Sequence, residues 1–411
     1  MIWWQYRQTL RPLWLEPVFR HPVLIIESDD WGPGPDIHAE RLNRLVEILS
    51  AYRDTRGRHP MMTLGVVLAV PDTHRIRQDN LRHYYRLYLA NPIFDSIRET
   101  MQAGVASGVF AIQLHGMEHF WPPSVLAAAR TDSNLKDWLI GNELPDTEDL
   151  PSHLQSRWTD CSSLPSSPIP EDEIETAAKE EVEAFRAVFG YKPCVAVPPT
   201  FVWNEVVERA WYSAGVRVVV TSGHRYERRG QDGRLQAIGS PLRNGQMSPA
   251  GVMYIVRNGY FEPAMGHTAQ RVLETLDRNR KTARPTLLET HRFNFTGEPD
   301  VAEAAYRELE KLLAEALALY PDLAFMSTEE LAKQLSESDP NLIETRTKRR
   351  IHVWLQRLRE IPRVRKLAWL SWLIIPGFLL FQATKSHGWG RPEAMFPLHQ
   401  QDRHGRGFFE R

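Results

Sequence analysis

The chain has 411 residues, 42% of them hydrophobic, which is enough for a large core in one large domain or in roughly two or three average ones. Its 50 Lys and Arg residues balance 51 Asp and Glu residues, so the composition lacks the basic excess of nucleic-acid-binding proteins. Two cysteines, Cys161 and Cys194, provide no disulfide framework, and residues 1–7 lack the continuous apolar run of a signal peptide. We expect a cytoplasmic protein with no nucleic-acid partner.

Short apolar runs alternate with helical patterns along the first 335 residues. The apolar runs cover 23–28, 61–70, 110–114, 194–197, 216–221, 252–256, 286–289 and 323–327. The helical patterns cover 39–53, 171–189 and about 301–319. Uninterrupted apolar strands that alternate with helices are typical of a parallel sheet covered on both faces. We predict an α/β fold for residues 1–335, a distorted or incomplete seven-stranded (β/α) barrel, with an open doubly wound sheet as the alternative.

Two polar stretches interrupt this alternation. Residues 130–170 contain few apolar side chains and end in a Ser- and Pro-rich sequence, and residues 224–247 are rich in Arg and Gly. A loop as long as the first stretch is usually functional or disordered. We therefore predict a lid or a substrate loop at 130–170.

The sequence changes character after residue 335. Basic residues dominate 346–366, where Glu360 is the only acid, and apolar residues repeat there at helical spacing. We predict a helical extension: a basic amphipathic helix in 336–366, an apolar membrane-associating segment at 367–383 and a polar tail at 384–411. Because 15 apolar residues broken by Pro-Gly are too few for a simple span, peripheral contact of 346–381 with an anionic membrane is expected. The alternative is a hydrophobic helix that folds back on the barrel.

Charged motifs follow three of the apolar runs. Asp29 and Asp30 follow the first run, His115 and His119 follow a second, and His291 ends a third. Adjacent charges are costly inside an apolar sheet, whereas the carboxyl ends of barrel strands meet at the face that carries catalytic residues. One carboxylate and two imidazoles can hold a hydrolytic divalent metal. The sequence therefore predicts a metal site of Asp29 or Asp30 with His115 and His119, which His291 faces as a proton donor or base.

These motifs resemble those of a known superfamily. Ser28-Asp29-Asp30, His115-Gly116-Met117-Glu118-His119 and Leu287-Leu288-Glu289-Thr290-His291 are similar to the first, second and fifth motifs of the polysaccharide deacetylases. A closer likeness is to a bacterial branch with Ser-Asp-Asp-Trp-Gly, His-Gly-x-x-His and His-Arg-x-Asn motifs, the last of which corresponds to residues 291–294. The likeness spans about residues 20–330.

The resemblance implies an activity and a role for each matching residue. It implies an incomplete β/α barrel that binds one divalent ion, with zinc as the first candidate, and removes N- or O-linked acetyl groups from sugars. Asp29 would be the general base that activates water, and His291 would protonate the leaving group. Asp30, His115 and His119 would be the metal ligands. The substrate would be a sugar or polysaccharide precursor of surface-polysaccharide biosynthesis at the inner face of the membrane, lipid-linked if 367–381 is an anchor.

One motif departs from the superfamily pattern. The third motif normally carries an arginine that orients the base, but residues 195–204 contain two prolines and no arginine. Arg292 and Arg257 are the candidates for the missing charge. Predicted substrate contacts are the aromatic rings of Trp31 and Trp203, which suit sugar faces, together with Pro199, Arg292 and Asn294.

Three other functions compete with a deacetylase. A glycosidase on the same barrel would need two acids at a defined separation and no metal. A carbohydrate-binding protein that has lost catalysis would explain the absent arginine. The order His-x-x-Glu-His in residues 115–119 also occurs in a class of metalloproteases, although Gly116 argues against their long helix.

Overall fold

A mixed α/β fold surrounds a largely parallel sheet in the computed structural model, which describes residues 10–370, 372 and 374–384. The strands are β1 Val23–Trp31, β2 Met62–Val66, β3 Ala69–Pro71, β4 Arg86–Tyr88, β5 Phe110–Leu114, β6 Val195–Ala196, β7 Val218–Thr221, β8 Arg225–Arg229, β9 Leu235–Ile238, β10 Gln246–Met247, β11 Met253–Val256, β12 Gly259–Tyr260, β13 Thr286–His291 and β14 Ala324–Phe325. Ten of these strands form the main sheet in the order β10-β11-β7-β6-β5-β2-β1-β13-β12, with β14 also paired to β1. The predicted α/β class with a parallel sheet core is confirmed.

Helices connect and cover the strands. They are α1 at 10–15, α2 Ile37–Ser50, α3 Thr73–Gln78, α4 Asp95–Ala106, α5 Pro122–Ala129, α6 Ser133–Ile140, α7 Glu171–Phe189, α8 Glu205–Ala214, α9 Ala269–Lys281, α10 Phe293–Thr296, α11 Pro299–Leu319, α12 Thr328–Glu337, α13 Thr347–Arg359, α14 Pro362–Leu370 and α15 Ile374–Thr384. Short 3₁₀ turns lie at Pro92–Phe94, Thr147–Asp149, Pro199–Phe201 and Pro263–Met265.

Helix α7 shows why the longer helices were predictable. Three acids occupy its first turn, where they favour the positive end of the helix dipole, and Gly190 ends it with φ 82°. Its apolar residues Ile174, Val182 and Phe185 are buried against the sheet at helical spacing. Composition therefore sets the start, the end and the buried face of this helix, and its bounds agree with the prediction.

The single run predicted at 61–70 divides into two strands. Residues in β2 pair with β1 and β5 in the main sheet, whereas β3 pairs antiparallel with β4 in a separate two-stranded sheet. The apolar run is continuous because both strands are buried on all sides, so hydrophobicity alone could not indicate the break.

The main sheet curves until its two sides meet. Strand β11 pairs with β7, and β12 pairs with β13, although only Arg257 and Asn258 separate β11 from β12. The amide of Arg257 donates to Thr221 O on the β7 side, and the amide of Asn258 donates to Leu287 O on the β13 side. A short link spans at most about 3.5 Å per residue, so the β7 side and the β13 side of the sheet lie next to each other.

The two polar interruptions are ordered parts of the fold. Residues 130–170 contain helix α6 and bury Leu150, Leu154 and Trp158, and residues 224–247 contain the β8–β9 hairpin. The first interruption is therefore not one long loop. Its few apolar side chains are enough to hold it in place, because Leu135, Leu150 and Leu154 pack with Ile76 and Phe120 in a second hydrophobic cluster.

The C-terminal helices attach where the central strands begin. The buried side chain of Arg357 in α13 donates to the carbonyls of Thr282 and Ala283, just before β13, and of Glu16 and Pro17, before β1. Residues 338–346 are not helical, so the basic segment predicted at 336–366 is interrupted rather than a single helix. Residues 385–411 of the predicted polar tail lie outside the described residues.

No helix in the described part of the chain is by itself long and apolar enough to cross a membrane. Helices α14 and α15 reach the necessary length and composition only when they are taken together, from Pro362–Leu370 and Ile375–Thr384, and they are sharply bent against each other.

Candidate active site

A bulge at the end of β1 brings two adjacent carboxylates to the same rim. Successive side chains of a strand point to opposite faces, so Asp29 and Asp30 would normally diverge. Between Ser28 and Trp31, however, β1 advances three residues while its partner β2 advances two, and Asp30 has φ 69°. A positive φ is uncommon outside glycine, and such strain concentrates at functional sites. The bulge aims both carboxylates toward the carboxyl ends of the strands.

Gly65 of β2 makes room for Asp29. A Cβ atom at this position would lie 2.3 Å from Asp29 Oδ1 and 3.3 Å from its Cα. Any larger residue at position 65 would therefore displace the carboxylate, and the glycine is a steric requirement of the site.

Asp30, His115 and His119 converge on one point. Asp30 Oδ1 lies 3.2 Å from His115 Nε2 and 3.4 Å from His119 Nε2, and one donor atom from each residue falls within 4.8 Å of the others. Asp30 Oδ1 and His115 Nε2 are buried without a hydrogen-bond partner. Such orphaned polar atoms are costly unless something else binds them.

The arrangement of these three residues fits a divalent cation. His115 Nδ1 lies 3.0 Å from the carbonyl of Val197, so a proton there donates to that oxygen and the Nε2 lone pair faces Asp30. Burial lowers the pKa of His119 to about 4, which keeps this imidazole in the neutral form that binds metals. Two imidazoles and one carboxylate form a ligand set used for Zn²⁺ and similar ions.

The electrostatics of the cluster also favour a positive charge. Burial would raise the pKa of Asp30, but His119 and His115 together lower that pKa by more than burial raises it, so the carboxylate is ionised. Burial would lower the pKa of His115, but the Asp29 and Asp30 carboxylates outweigh that effect and raise it. The site therefore attracts either a proton or a metal ion.

Arg257 supplies the charge that the third motif lacks. Its guanidinium donates to Asp29 Oδ2 at 2.6 Å and to Asp29 Oδ1 at 2.9 Å, and its Nε donates to Glu27. Burial would raise the pKa of Asp29, but the charge and hydrogen bonds of Arg257 together with the charge of His115 lower it by more, and the net shift is downward. Asp29 is thus ionised and held in a fixed orientation by a bidentate pair.

The third-motif region contributes a ring where an arginine was expected. Phe201 has φ 56°, and the guanidinium of Arg257 lies 5.6 Å from the centre of its ring. This distance is within the range of a cation–π contact. The region at 198–201 therefore supports the orienting arginine instead of providing it.

His291 is paired with an acid that sequence reasoning missed. Its Nδ1 lies 2.7 Å from Glu262 Oε1, and the side chain of Asn294 donates to the other oxygen of Glu262. Burial would lower the pKa of His291, but the hydrogen bond and charge of Glu262 outweigh it, and the pKa lies well above its ordinary value. His291 is therefore a protonated donor at neutral pH. Glu262 follows the two-residue strand β12, a signal too short to find by pattern.

Asp29 and His291 lie side by side. They are register partners on the adjacent parallel strands β1 and β13. Glu289 lies near both, with Oε2 3.7 Å from Arg257 Nη1 and Oε1 3.9 Å from His291 Nε2. Burial raises the pKa of Glu289 to about 7 despite the Arg257 charge.

Arg292 joins the site to the 130–170 segment and does not orient the base. Its amide donates to Asp29 O, but its Nη2 lies 2.7 Å from Asp146 Oδ1 and 3.7 Å from Glu148 Oε1. Burial outweighs the Arg292 charge and raises the pKa of Glu148 to about 8, and the Asp30 carboxylate adds to this rise. The segment therefore reaches the rim of the site.

Three predicted substrate contacts lie in the interior. Trp31 and Trp203 are fully buried, and their indole N–H groups donate to Ser28 Oγ and Glu208 Oε1, both at 2.9 Å. Neither ring has a free face on which a sugar could stack, because both pack in the hydrophobic core. Pro199 is also buried, close to Gly116. The sequence showed that these residues adjoin the motifs but not that they point inward.

Glu118 belongs to a buried ionic network and not to the metal cluster. Its carboxylate accepts from Arg86 and, at 2.7 Å, from Arg157 Nη1. Arg157 Nε also donates to Glu181 at 2.9 Å, and Glu181 accepts from the amide of Met117 at 3.1 Å. With both oxygens of Glu118 paired inside the protein, the order His-x-x-Glu-His does not place a metalloprotease base here.

Comparison with solved structures finds proteins that act on polysaccharides. The chain is similar to a putative polysaccharide deacetylase from Mycobacterium smegmatis, with 13% identity and a TM-score of 0.40 over 77% of this chain and 90% of that one. It is also similar to a family 4 acetyl xylan esterase from Clostridium thermocellum solved with a cobalt ion, with 13% identity and a TM-score of 0.36 over 76% and 90%. A 4-alpha-glucanotransferase from Thermococcus litoralis matches with 11% identity and a TM-score of 0.40, and 76% of this chain spans only 40% of that enzyme.

No protein-family model matches the sequence, and no curated protein matches it significantly. The fold and the site described above rest on the strand pairing and side-chain contacts of the chain itself.

Proposed function

We propose that this protein is a metal-dependent hydrolase that removes an acetyl group from an acetylated sugar or polysaccharide precursor. The observation that carries the proposal is the convergence of Asp30, His115 and His119 beside an ionised Asp29 and a protonated His291. Metal-dependent acyl hydrolysis uses a cation near the acyl oxygen, a base for water and an acid for the leaving group. At this rim, Asp30, His115 and His119 could hold the cation, Asp29 could serve as the base and His291 as the acid.

Asp30, His115 and His119 would hold the ion, with zinc as the first candidate. When bound there, a divalent metal supplies Lewis acidity to the acyl carbonyl. Asp29 takes the proton from the attacking water. Arg257 keeps the Asp29 carboxylate ionised and fixes its orientation by hydrogen bonds to both oxygens. His291 then gives its proton to the departing sugar oxygen or nitrogen, and Glu262 stabilises the imidazolium until that step.

The sugar part of the proposal comes from the motifs. Ser28-Asp29-Asp30, residues 115–119 and the His291-Arg292-Phe293-Asn294 sequence resemble enzymes that deacetylate carbohydrates. The same resemblance leads us to place the reaction in surface-polysaccharide biosynthesis, and two cysteines without a disulfide framework lead us to place it in the cytoplasm. Of the two other predicted substrate contacts, Asn294 is fully buried against Glu262, and Arg292 is 7% exposed and paired with Asp146 at the rim.

The barrel form of the sheet belongs to this proposal. Seven positions complete a ring if β11 and β12 are counted as one interrupted strand, in the order β1, β2, β5, β6, β7, β11–β12 and β13. In such a ring, Arg257 lies at the interruption and reaches inward to Asp29 of β1. The carboxyl ends of the strands then surround the cluster, as in other β/α barrels.

Elemental analysis combined with acetate release tests the proposal. Purified protein should carry about one divalent ion per chain, and it should release acetate from acetylated amino sugars or acetylated oligosaccharides. A D29N variant should keep the ion and lose acetate release, whereas H115A should lose both. Full acetate release by metal-free protein would refute the metal dependence. Cleavage of a glycosidic bond by metal-free protein, without acetate release, would favour a glycosidase that uses paired carboxylates.

The alternative of a binding protein without catalysis has lost its main support. It was suggested by an absent arginine, and Arg257 now makes a bidentate contact with Asp29. Metal and sugar binding without acetate release from any acetylated glycan would restore this alternative.

A further inference from the structure

A surface of large apolar side chains is exposed on the last two helices and in the bend between them. Trp369 is 68% exposed and Trp372 is 75% exposed, values far from those of core residues. The other members of this apolar surface are Leu370, Ile375, Phe378, Leu379 and Leu380. Contiguous exposed apolar residues of this size mark an interaction site in a folded protein.

The apolar surface is attached to the body of the protein. Phe381 of α15 stacks on His352 of α13 with 4.2 Å between the ring centres, and Thr384 lies 3.3 Å from the same imidazole. Helix α13 is in turn held by the buried Arg357 and by Trp354, whose indole donates to Leu10 O. The exposed side chains are therefore presented by anchored helices.

Basic residues adjoin the apolar surface on α14. Arg365 and Lys366 precede Trp369 and Leu370 by one helical turn on the same exposed side, and Arg363 is also exposed. None of these three cations forms an ion pair among the described residues. Residues 361–384 contain no Asp or Glu.

We propose that α14 and α15 form a docking surface for an anionic phospholipid bilayer. The tryptophans and aliphatic side chains enter the interface between head groups and acyl chains, while Arg363, Arg365 and Lys366 bind lipid phosphates. The helices lie along the bilayer, because neither is long enough to cross it. This proposal is independent of the hydrolase activity.

Charge favours a bilayer over two other occupants. A second copy of the chain, packed by two-fold symmetry, would bring the same three cations together, and their repulsion opposes such a dimer. Residues 385–411 contain five Lys and Arg against three Asp and Glu, so this segment also lacks the negative charge that would match α14. An anionic lipid surface supplies both an apolar layer and the missing charge.

Vesicle co-sedimentation of the full chain tests the docking surface. The wild type should bind vesicles of equal phosphatidylglycerol and phosphatidylcholine at least about tenfold more tightly than pure phosphatidylcholine, and added salt should weaken the binding. W369S/W372S/F378S should bind both vesicles at least about tenfold more weakly. R363Q/R365Q/K366Q should lose the preference for phosphatidylglycerol. A matched control, I93S/M265S, removes two equally exposed apolar side chains elsewhere and should bind like the wild type.

Three results would overturn the proposal. The first is wild-type binding that does not depend on phosphatidylglycerol, and the second is a triple serine variant that is folded and binds like the wild type. The third is a wild-type dimer that the serine variant converts to monomer without any change in vesicle binding. Thermal unfolding of each variant verifies that it is folded, and acetate release by the serine variant separates a docking defect from a catalytic one.

Discussion

Arg257 holds both carboxylate oxygens of Asp29 from the short link between β11 and β12. The link lies where the two sides of the curved sheet meet, so the arginine reaches β1 across the interior and not from the neighbouring strand β2. The same guanidinium also contacts Glu27, which accepts from Thr328 on its other oxygen. The side chain of Arg257 thus connects the β11–β12 link to β1 and also orients the Asp29 carboxylate.

Replacing Arg257 should move the acid limb of the pH–rate profile. Arg257 lowers the pKa of Asp29, so R257Q should raise that pKa, and activity should begin to fall at a higher pH as the solution is acidified. We expect kcat to drop by about 10²-fold, within the range of general-base effects. R257K should restore part of the charge effect but not the bidentate orientation. R292K, which changes the other candidate arginine, should leave the acid limb in place.

Loss of Arg257 should also destabilise the fold. Glu27 and Asp29 would remain as buried charges without their partner, and breaking a buried pair costs about 3–5 kcal/mol. Urea unfolding of R257Q against the wild type measures this loss. An unchanged midpoint would show that the two acids find another partner or take up protons.

Replacing Glu262 should move the basic limb. Glu262 raises the pKa of His291, so E262Q should lower it, and the protonated donor should disappear at a lower pH as the solution is made basic. NMR titration of the His291 ring and the pH dependence of kcat/KM should shift together. E298Q changes an exposed acid that immediately precedes α11 and should shift neither the ring titration nor the kinetics. A shift in kinetics without a shift in the ring titration would assign the basic limb to another group.

Adding Zn²⁺ should stabilise the wild type. Binding to the folded state alone contributes about 2.7 kcal/mol when the free ion is at 100 times its Kd, so Tm should rise in Zn²⁺ and fall in a chelator. D30N and H115A should lose this dependence, whereas H83A, which changes an exposed histidine, should keep it. An equal rise of Tm in D30N, H115A and the wild type would place the ion elsewhere.

Removing Arg157 should destabilise residues 115–119, which carry His115 and His119. Glu118 and Glu181 would be left buried without this cation, and we expect R157Q to lose about 3–5 kcal/mol of unfolding free energy. Because Glu181 also accepts from the amide of Met117, metal affinity should fall as well. R130Q alters an exposed arginine and should have neither effect.

Local sequence patterns predicted most of the longer strands of the main sheet and the grouping of the candidate metal ligands, but not short strands such as β12. Each candidate ligand follows an apolar run, and a parallel sheet brings the ends of such runs together, so this pattern grouped His115 and His119 with either Asp29 or Asp30. The choice of Asp30 came from the resemblance to the polysaccharide deacetylases. The bulge that aims Asp29 and Asp30 at one rim depends on the register with β2 and has no local signal. The choice between Arg257 and Arg292 likewise depended on how the sheet closes.

Burial was the property that the sequence predicted least well. Trp31 and Trp203 adjoin the motifs in sequence, where rings that stack on a sugar are expected, yet both rings are buried in the core. A tryptophan suits either position, and only the direction of its strand or turn decides between them. The absence of apolar periodicity in 130–170 likewise concealed the contact of Arg292 with Asp146.

The anchoring contacts of α13 and the cluster of Asp30, His115 and His119 lie at opposite ends of the same strands. Arg357 binds backbone just before β1 and β13 begin, whereas Asp30 and His291 lie where these strands end. A six-residue strand such as β13 is about 20 Å long. If α14 and α15 hold the protein to a bilayer near the start of these strands, the rim that carries Asp30 and His291 therefore faces the aqueous side. The acetylated group of the substrate would then have to lie on a chain long enough to extend well clear of the lipid head groups.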